Sequence, residues 1–491
     1  MNCAEAMRFI ETRDNGMTTL QSAVAKLRLL VVIASFGGKN VNYLREIINA
    51  YRSMSMYVDV IVLSDAPKDL GGKVEVVVGL PDKNPWSLPF AHKAIFAEKL
   101  NEYDLFAYSE DDMYVSEANI RAFLRATLQL RSDEIAGFLR YEVKESGGWS
   151  LPEVHGTFHW RPYSVRRRGD YTIAEFTNEH AGFYLLTQNH LHKAIASGGF
   201  LRGPCRGLYG WPETAATDPY TNCGFHKVIC ISVLEDFLIH HMPNRYTDKF
   251  GLPLEMVKNQ IETLDSIQKG THPARMLCKA QSKMPLLKWS KGYYEAPCEP
   301  LLRMVPAEAR SILSIGCGWG ETEVFLQKRG AKVTALPIDS VVGAMAASHG
   351  IEVIHGELNE SLTALEIRRF DVVIIVDMLH LQPHPEHFIE QCSRFVALGG
   401  VLLLSGPNFG RFPLLAKRNL ANVDFQKMRN FDQSGITTCS PRALEKHLKG
   451  AGFHDCVIRW MNHSSPLDGF LGTHLHLRSL TARDWVMLAR R

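Results

Sequence analysis

The stretch SILSIGCGWGETEVFLQKRG, residues 311–330, predicts a β-strand that runs through a glycine-rich turn into a helix. Its apolar start is typical of a buried strand. Gly316, Gly318 and Gly320 then alternate with single residues before Glu321 opens the helix. Glycine lets the backbone turn tightly and approach a ligand closely. A lone G-x-G carries little information, but G-x-G-x-G between a strand and a helix predicts a ligand-binding turn in an α/β sheet.

The residue after this turn narrows the choice of ligand. The fingerprint for nicotinamide dinucleotides is G-x-G-x-x-G, and Glu321 occupies the place of its last glycine. A carboxylate there disfavours a pyrophosphate, whereas a sulfonium cofactor carries no phosphate. The pattern therefore favours a sulfonium cofactor and leaves a nicotinamide-dependent oxidoreductase as the weaker alternative.

The sequence around the turn predicts the fold of the second half. Further apolar runs follow, with helical segments between several of them: AKVTALPID (331–339), IEVIHGEL (351–358), FDVVIIVDML (370–379) and GGVLLLSGPN (399–408). Short strands that alternate with helices predict an α/β domain with a doubly wound parallel sheet.

This half resembles the class I S-adenosylmethionine-dependent methyltransferases, in particular those with small-molecule or sugar acceptors. The resemblance covers about residues 290–460, and its segments follow the family's order: YYEAPCEPLLRMVPAEARSILSIGCGWG (293–320), the region 370–408, and SPRALEKHLKGAGF (440–453). It implies a Rossmann-like fold that binds S-adenosylmethionine on Gly316, Gly318 and Gly320.

The resemblance also implies roles for residues at other strand ends. An acid usually follows the second strand and binds the ribose, but Pro337 stands there, and Asp339 is expected to take the role through a shifted turn. Glu357 is expected near the adenine, and Asp377 beside the cofactor or the methyl acceptor. His380 is the candidate base for a hydroxyl acceptor, with a hydrogen-bonded structural histidine as the alternative.

The first half alternates strands and helices in the same way from about residue 27. Its third strand, in DLFAYSEDD (104–112), ends in the carboxylates Glu110, Asp111 and Asp112. In open α/β sheets, ligands bind outside the carboxyl ends of strands. Clustered carboxylates need a cation, and Mg²⁺ or Mn²⁺ also binds phosphate oxygens. The motif thus predicts a metal-held nucleoside diphosphate; the alternative is a polar turn that opens a helix capped by Ser116.

Residues 27–250 resemble the A-type fold of nucleotide-sugar glycosyltransferases, in which a short acidic motif, often Asp-x-Asp, ends a strand. Here Glu110 takes the first place of that motif. The resemblance implies that Asp112 holds a divalent metal (Mn²⁺ or Mg²⁺). It also implies that Glu110 faces the metal or the nucleotide ribose.

The segment VLEDFLIHHMPNRY (233–246) supplies the remaining candidates in this half. The resemblance implies one more metal ligand late in the domain, and His240 or His241 is the candidate. It also implies an acidic base, first Asp236 and second Glu179. Asp236 precedes His240 by four residues, so the two would share a face if the segment were helical.

The length of the chain indicates that it forms more than one domain. With 491 residues, the chain is expected to form an N-terminal extension (1–26), a glycosyltransferase-like domain (27–252), a helical linker (253–288) and a methyltransferase domain (289–491).

A net charge of +3 argues against general nucleic-acid binding. Ten scattered cysteines indicate a reducing compartment. The N-terminus does not resemble a signal peptide, and no apolar run reaches the roughly 18 residues of a spanning helix. A cytoplasmic protein is expected, with peripheral membrane contact left open.

Together these patterns predict a bifunctional enzyme. One half would transfer a sugar from a nucleotide-sugar to a glycan or glycolipid acceptor with the help of the metal. The other half would O-methylate a glycan or a related hydroxyl from S-adenosylmethionine, as in bacterial surface polysaccharide synthesis, an analogy at the level of fold. The alternative is that only the methyltransferase is active and that the N-terminal half is a catalytically inactive carbohydrate-binding module.

Overall fold

A computed structural model describes most of the chain: residues 26–71, 74–247, 249–411, 414, 426–463 and 478–491. Nearly all of the expected N-terminal extension lies outside these residues. The chain divides into two compact units, Met1–Ile261 and Glu262–Arg491. Each unit has apolar cores of its own. Within the described residues, no helix combines the length and apolarity needed to cross a bilayer.

The described part of the first unit contains short strands and helices that alternate along the chain. Its strands are β1 (Arg28–Ser35), β2 (Tyr57–Ser64), β3 (Glu75–Val78), β4 (Leu105–Glu110), β5 (Met113–Tyr114), β6 (Glu134–Ala136), β7 (Leu139–Val143), β8 (Trp149–Leu151), β9 (Arg166–Arg168), β10 (Tyr171–Ala174), β11 (Phe183–Thr187), β12 (His226–Cys230), β13 (Leu238–His241) and β14 (Leu252–Pro253). Its helices are α1 (Val41–Arg52), α2 (His92–Glu98), α3 (Glu117–Thr127), α4 (Gln188–Ala196), α5 (Trp211–Thr221) and α6 (Leu254–Gln268), which contains the division between the units. Short 3₁₀ helices span Pro85–Ala91, Pro162–Ser164 and Ile231–Phe237.

The main sheet of the first unit places the acidic motif at a strand edge. Its order is β11-β4-β1-β2-β3, with β1 to β4 parallel and β11 antiparallel to β4. Strand β1 is apolar along nearly its whole length because both faces of a parallel sheet are covered. Ala34 of β1 is in register with Glu110 of β4, so the carboxyl ends of the two strands meet at one edge.

A second sheet brings a distant segment to the same edge. Its order is β14-β8-β7-β13-β5, and His241 of β13 is paired with Met113 of β5. Since Met113 directly follows Asp112, this pairing carries His241 back to the acidic motif. A third sheet, β6-β12-β10-β9, completes the strand pairing of this unit.

The turn after the acidic motif also opens a helix. The hydroxyl of Ser116 accepts the backbone N–H of Asn119, and the Asn119 side chain accepts the backbone N–H of Ser116. This capping box begins α3 at Glu117. The expected helix cap is therefore present, and it leaves the three carboxylates outside the helix.

The second unit follows the pattern expected from its sequence. Its described strands are β15 (Ser311–Cys317), β16 (Lys332–Pro337), β17 (Glu352–Val353), β18 (Phe370–Ile375), β19 (Val396–Pro407), β20 (His454–His463) and β21 (Ala482–Arg490). Its described helices are α7 (Glu299–Leu302), α8 (Glu321–Lys328), α9 (Ser340–Ser348), α10 (Leu358–Leu365), α11 (Pro385–Ser393), α12 (Phe431–Ser434), α13 (Pro441–Gly450) and α14 (Arg478–Thr481). Short 3₁₀ helices span Pro285–Leu287, Leu379–Leu381 and Lys427–Arg429.

One sheet organises this unit. The order is β17-β16-β15-β18-β19-β21-β20, with β15 to β19 parallel and the last two strands antiparallel to their neighbours. The predicted Rossmann-like sheet is thus confirmed. From β15 the chain proceeds outward to β16 and β17, and then returns to β18 on the other side. This reversal is the switch point at which open α/β sheets bind ligands.

The segment before this sheet is only partly helical. Helix α6 ends at Gln268, where Gly270 adopts a left-handed backbone (φ +75°) and Pro273 prevents the helix from resuming. The chain then runs along the end of β16. The Leu277 N–H donates to the Ile338 carbonyl, and Met276 forms a bridge with Asp339. The second part of the expected helical linker is therefore irregular chain packed on the sheet.

Candidate functional site

The glycine turn between β15 and α8 has the geometry that its sequence predicts. Gly316 and Gly320 adopt left-handed backbone conformations, with φ of +78° and +99°. A Cβ on Gly318 would lie 2.3 Å from the backbone oxygen of Tyr293. The first and third glycines are thus required by backbone conformation, and the middle one by close approach.

The segment that precedes the sheet covers this turn. The Trp319 N–H donates to the Tyr293 carbonyl at 3.0 Å, and its indole Nε1 donates to the Glu295 carbonyl at 2.8 Å. The cavity left beside the turn has a volume of only about 30 Å³. The segment that contains Tyr293 and Glu295 therefore lies against the turn and leaves little space beside it.

Charged side chains surround the same small cavity. Lys291 is buried, and its ammonium is paired with the Glu295 carboxylate. Burial disfavours the charge on Lys291, but the nearby carboxylates of Glu295 and Asp377 outweigh it and raise its pKa above the usual value. Glu323 is also buried, which raises its pKa, and it accepts the Ser314 hydroxyl at 2.5 Å. The turn thus faces one buried cation among several carboxylates.

The structure places Asp339 differently from the expectation. Its side chain is buried, and Oδ1 accepts the N–H groups of Val341 at 2.8 Å and Val342 at 2.9 Å. It is the N-cap of α9 and does not line the cavity beside the glycine turn. Oδ2 has no hydrogen-bond partner among the residues described, and burial raises the pKa of this carboxyl to about 7.

Glu357 also caps a helix rather than lining the small cavity. It is the exposed N-cap of α10, and its backbone N–H donates to the Glu360 carboxylate at 3.3 Å. Neither of the two acids expected to hold the nucleoside therefore belongs to the group of residues around the glycine turn.

Asp377 and His380 lie beyond the end of β18, within electrostatic reach of Lys291. Asp377 adopts a left-handed backbone (φ +52°), which is uncommon for a residue other than glycine and recurs at functional sites. Its Oδ1 accepts the Ser405 hydroxyl at 2.8 Å. The structure thus groups Asp377 with the glycine turn.

His380 has the protonation pattern of a base. It is buried, and Nε2 lies 2.6 Å from the Trp289 carbonyl, which can only accept a hydrogen bond. Nε2 therefore carries the proton, and Nδ1 presents a lone pair without a hydrogen-bond partner in the described part of the chain. Burial lowers the pKa of the ring, so the neutral form is favoured.

The first unit has a much larger cavity at the carboxyl ends of β1 and β4. Its volume is about 590 Å³, within the usual range for small-molecule sites. Glu110, Asp111 and Asp112 all line it. Asp111 accepts the Ser35 hydroxyl and the Asn40 amide, both at 2.7 Å, while burial raises its pKa to about 6.

Glu110 is compensated by a histidine across the cavity. Its Oε1 lies 3.3 Å from Nε2 of His180. Burial would raise the pKa of Glu110, but the hydrogen bond and charge of His180 lower it to about 2. The guanidinium of Arg140, whose side chain is 12% exposed, acts in the same direction. Glu110 is therefore held ionised by cations of the chain itself.

Asp112 and His241 face each other. His241 Nε2 lies 3.5 Å from Asp112 Oδ2, while its Nδ1 lies 2.5 Å from the fully buried carboxylate of Glu142. If Nδ1 donates to Glu142, then Nε2 and Oδ2 are two acceptors that face each other, and Oδ2 also accepts the Asn40 amide at 3.2 Å. Metal-binding histidines commonly make such a second bond to a carboxylate. In the structure, Arg245 supplies positive charge, with Nη2 3.0 Å from Asp112.

Among the described residues, no group of three or more His, Cys, Asp or Glu side chains is arranged to hold a metal ion. His240 lies on the opposite face of β13 from His241, because side chains alternate along a strand. It stacks on Tyr141 and bonds to Asn244. The structure therefore offers Asp112 and His241 as a pair of potential ligands and leaves His240 out.

The two expected bases lie outside the large cavity. Asp236 is half-exposed and 3.6 Å from Arg125. It lies in a 3₁₀ helix that ends before β13, so the expected shared helical face with His240 does not form. Glu179 lines a separate cavity of about 460 Å³, and burial raises its pKa.

The large cavity also contains residues that the sequence did not single out. Glu213, near the start of α5, contributes a further carboxylate. One wall is a run of aromatic rings. His241 and Tyr246 stack with ring centroids 5.4 Å apart, and tilted contacts join Tyr246 to Phe250 at 4.6 Å and Phe250 to His155 at 4.7 Å. Only Pro212 and the following acid, Glu213, could have indicated the start of α5 at Trp211. No local signal identifies the aromatic wall.

Comparison with known proteins concerns the second unit. A family model described as "Methyltransferase domain" matches residues 289–456. The ubiquinone biosynthesis O-methyltransferase of Haemophilus ducreyi is 28% identical over 175 residues, which cover 31% of this chain and 74% of that protein. That of Alkalilimnicola ehrlichii is 32% identical over 106 residues, or 21% of this chain and 43% of that protein. The chain spans less than half the length of this relative. The same holds for the ubiquinone biosynthesis O-methyltransferases of Pseudomonas entomophila and Pseudomonas paraeruginosa.

A solved structure of an S-adenosylmethionine-dependent methyltransferase from Archaeoglobus fulgidus is also similar. It is 17% identical, with 39% of this chain and 92% of that chain covered, at a TM-score of 0.32. A score this low adds nothing to the assignment. The family match coincides with the parallel sheet, its switch point and the three required glycines. Residues 289–456 are therefore a class I S-adenosylmethionine-dependent methyltransferase domain.

Proposed function

We propose that this protein transfers a methyl group from S-adenosylmethionine to a hydroxyl group of a glycan or a related small molecule. The observation that carries the proposal is the glycine turn at the switch point, where Gly316, Gly318 and Gly320 are each required by the backbone. The names of the relatives, ubiquinone biosynthesis O-methyltransferases, support oxygen as the accepting atom.

The residues around the turn suit this chemistry. When bound, the cofactor supplies an electrophilic methyl group on a sulfonium. Gly316 and Gly318 present bare backbone to it, and Asp377 contributes negative charge that suits a cation. His380, neutral and with a free Nδ1 lone pair, would take the proton from the acceptor hydroxyl. The chain's main contribution is to align donor and acceptor and to hold that base in position.

Calorimetry tests the cofactor directly. The full chain is titrated with S-adenosylhomocysteine and, separately, with NAD⁺. The proposal expects binding of the first and none of the second. Binding of NAD⁺ without S-adenosylhomocysteine would instead support the oxidoreductase alternative.

A second function is favoured by the large cavity of the first unit. We propose that it binds a nucleotide-sugar through a divalent cation held by Asp112 and His241, and transfers the sugar to a glycan or glycolipid acceptor. The facing acceptors on these residues, with Glu142 behind His241, support this. Mg²⁺ is commonly bound by one or two carboxylates together with substrate phosphates, so a third protein ligand is not needed. Glu213 lines the same cavity outside the acidic motif and is the candidate base.

The competing proposal is a carbohydrate-binding module without catalysis. The aromatic wall of His155, Tyr246 and Phe250 would pack against a sugar ring both in a transferase and in a binding module. Incubation with Mn²⁺ and a panel of nucleotide-sugars separates the two. Nucleotide release that is lost in Asp112→Asn supports transfer. No release from any donor, combined with binding of free glycans, supports the module.

A further inference from the structure

We propose that the second cavity of the first unit, of about 460 Å³, binds an acidic saccharide, that is, a sugar that carries a carboxylate or a phosphate group. This site goes beyond both proposed functions, because neither the cation of the large cavity nor the methyl donor takes part in it. Its chemistry is set by two polar side chains that the fold leaves without partners and by two arginines.

A fixed wall separates this cavity from the large one. Within residues 178–180 the outer two side chains line the large cavity, whereas Glu179 between them lines the second. Tyr209 lines both cavities. Its hydroxyl accepts the Glu179 backbone N–H at 3.0 Å and donates to the Thr177 carbonyl at 3.2 Å. Because the main chain holds Tyr209 from both sides, the second cavity is a site of its own.

Two polar side chains reach this cavity without a partner. Tyr220 is only 8% exposed, yet its hydroxyl has no hydrogen-bond partner within the described part of the chain. The Glu179 carboxylate likewise accepts no hydrogen bond from a described residue, and it lies within electrostatic reach of Tyr220. Buried polar groups are normally hydrogen-bonded. A donor and an acceptor left open at one cavity indicate a ligand that supplies both, as sugar hydroxyls do.

Two arginines determine the charge of the ligand. Arg202 Nη1 donates to the side-chain oxygen of Asn222 at 2.8 Å, which holds this guanidinium at the cavity. Arg206 lines the same cavity and makes no hydrogen bond or ion pair with another described residue. Guanidinium groups match carboxylates and phosphates with two parallel hydrogen bonds. Since the two cations outweigh the single carboxylate of Glu179, the lining favours an anionic ligand.

The size and the surface of the cavity suit a sugar. Its volume lies within the roughly 300–1,000 Å³ that small-molecule sites occupy. The rings of Tyr209 and Tyr220 add aromatic surface to the polar groups. Aromatic surface with a few placed polar groups is typical of sites that bind small ligands.

Protection of Cys205 from alkylation tests the site, because this partly buried thiol lines the same cavity. The full chain is labelled with iodoacetamide and analysed by mass spectrometry, with the partly buried Cys456 of the second unit as the internal reference. The ligands are methyl glucuronide, the corresponding phosphorylated methyl glucoside, neutral methyl glucoside and inorganic phosphate, at equal concentration and ionic strength.

We expect at least one acidic sugar to slow the alkylation of Cys205 by about threefold or more, since the thiol is covered in proportion to ligand occupancy. Neutral methyl glucoside and inorganic phosphate should each change that rate by less than about 1.5-fold, because each lacks one half of the ligand. The rate at Cys456 should stay the same with every ligand.

Two variants place the ligand in this cavity. Tyr220→Phe removes a hydroxyl that has no partner among the described residues, so folding is retained, and it should raise the acidic-sugar concentration needed for half-protection by roughly 3- to 10-fold. Arg202→Gln combined with Arg206→Gln should reduce protection by the acidic sugar to that by the neutral one. Arg52→Gln, at an exposed arginine that ends α1, is the matched control and should change nothing.

Protection by either acidic sugar supports the proposal and identifies its anion. Absence of protection by both, or equal protection by neutral methyl glucoside or by inorganic phosphate, would overturn it. Equal protection of the wild type and of both variants would do the same. Nucleotide release and binding of S-adenosylhomocysteine are measured on the same preparations, so failure of either proposed function is seen separately from failure of this site.

Discussion

Single side chains decide how each candidate site is charged. Asp339 lies two residues after Pro337, which occupies the place where the family usually has an acid. Its carboxylate caps α9, and Met276 and Leu277, from the irregular segment before the sheet, lie along the end of β16. An acid after the second strand was expected to bind ribose; an Asp-Ser pair before an apolar helix is equally a helix start.

Substitution of Asp339 separates these two roles. Asparagine caps helices as well as aspartate does. Asp339→Asn should therefore keep the affinity for S-adenosylhomocysteine within about twofold in calorimetry. A loss of tenfold or more would show that the carboxylate itself binds the ribose.

We also expect Asp339 to make the free energy of unfolding depend on pH. Burial raises the pKa of folded Asp339 to about 7, above its unfolded value, so the folded state binds the proton more tightly. Stability of the wild type should increase as pH falls from about 7 towards 4, by at most about 4 kcal/mol. Chemical unfolding at several pH values measures this. Asp339→Asn should lose that increase in stability. If the variant kept the same dependence of stability on pH, Asp339 could not be its cause.

His380 is predicted to act on catalysis and not on cofactor binding. His380→Gln should lower kcat by about 10²- to 10⁴-fold once an acceptor is identified, because a positioned base is lost. The dissociation constant of S-adenosylhomocysteine should remain unchanged. A comparable loss in binding would indicate that the Trp289 contact of His380 is structural.

Turns and strands determine which of these side chains come together. A methyl group on Gly318 would meet the Tyr293 carbonyl, which belongs to the backbone and cannot rotate away. Gly318→Ala should destabilise the second unit by about 1–3 kcal/mol and abolish binding of S-adenosylhomocysteine. Gly450→Ala is the matched control, since open space surrounds Gly450 at the end of α13. Thermal unfolding should show the control to be neutral or slightly stabilising; equal effects of the two substitutions would contradict the close-approach argument.

The burial and the pairing of a strand decide whether it can be predicted from the sequence. β15, β16, β18 and β19 could be predicted because largely buried strands appear as continuous apolar runs, whereas β17 is a half-buried edge strand of two residues. β20 and β21 were not anticipated: they pair antiparallel at the far edge, after a long separation in sequence. In the first unit, a helical form of the segment that includes His240 and His241 would have put Asp236 and His240 on one face. The two histidines lie in a strand instead, and its period of two places only His241 beside Asp112.

Across the whole chain, each unit has its own apolar cores and its own candidate site. We therefore expect substitutions in one site to leave the other unaffected. Asp112→Asn should abolish nucleotide release without changing affinity for S-adenosylhomocysteine, and Gly318→Ala should do the reverse. Nucleotide release and calorimetry on the same preparations check this. Loss of both properties in either variant would contradict independent sites.

The sequence could indicate the glycine turn and the acidic strand end because both are local patterns. It could not indicate that the segment of Lys291 packs against the glycine turn, since that contact joins residues that are distant in sequence. The aromatic wall could not be predicted for the same reason, because it joins His155 to Phe250, which lie almost a hundred positions apart.

The central claim is that the glycine turn of residues 316–320 receives S-adenosylmethionine. A crystal structure of the full chain with S-adenosylhomocysteine tests it most directly. The predicted result is a ligand over the carboxyl ends of β15 and β16, with its amino-acid end against Gly316 and Gly318. A ligand bound elsewhere, with the turn still covered by Tyr293, would contradict the account.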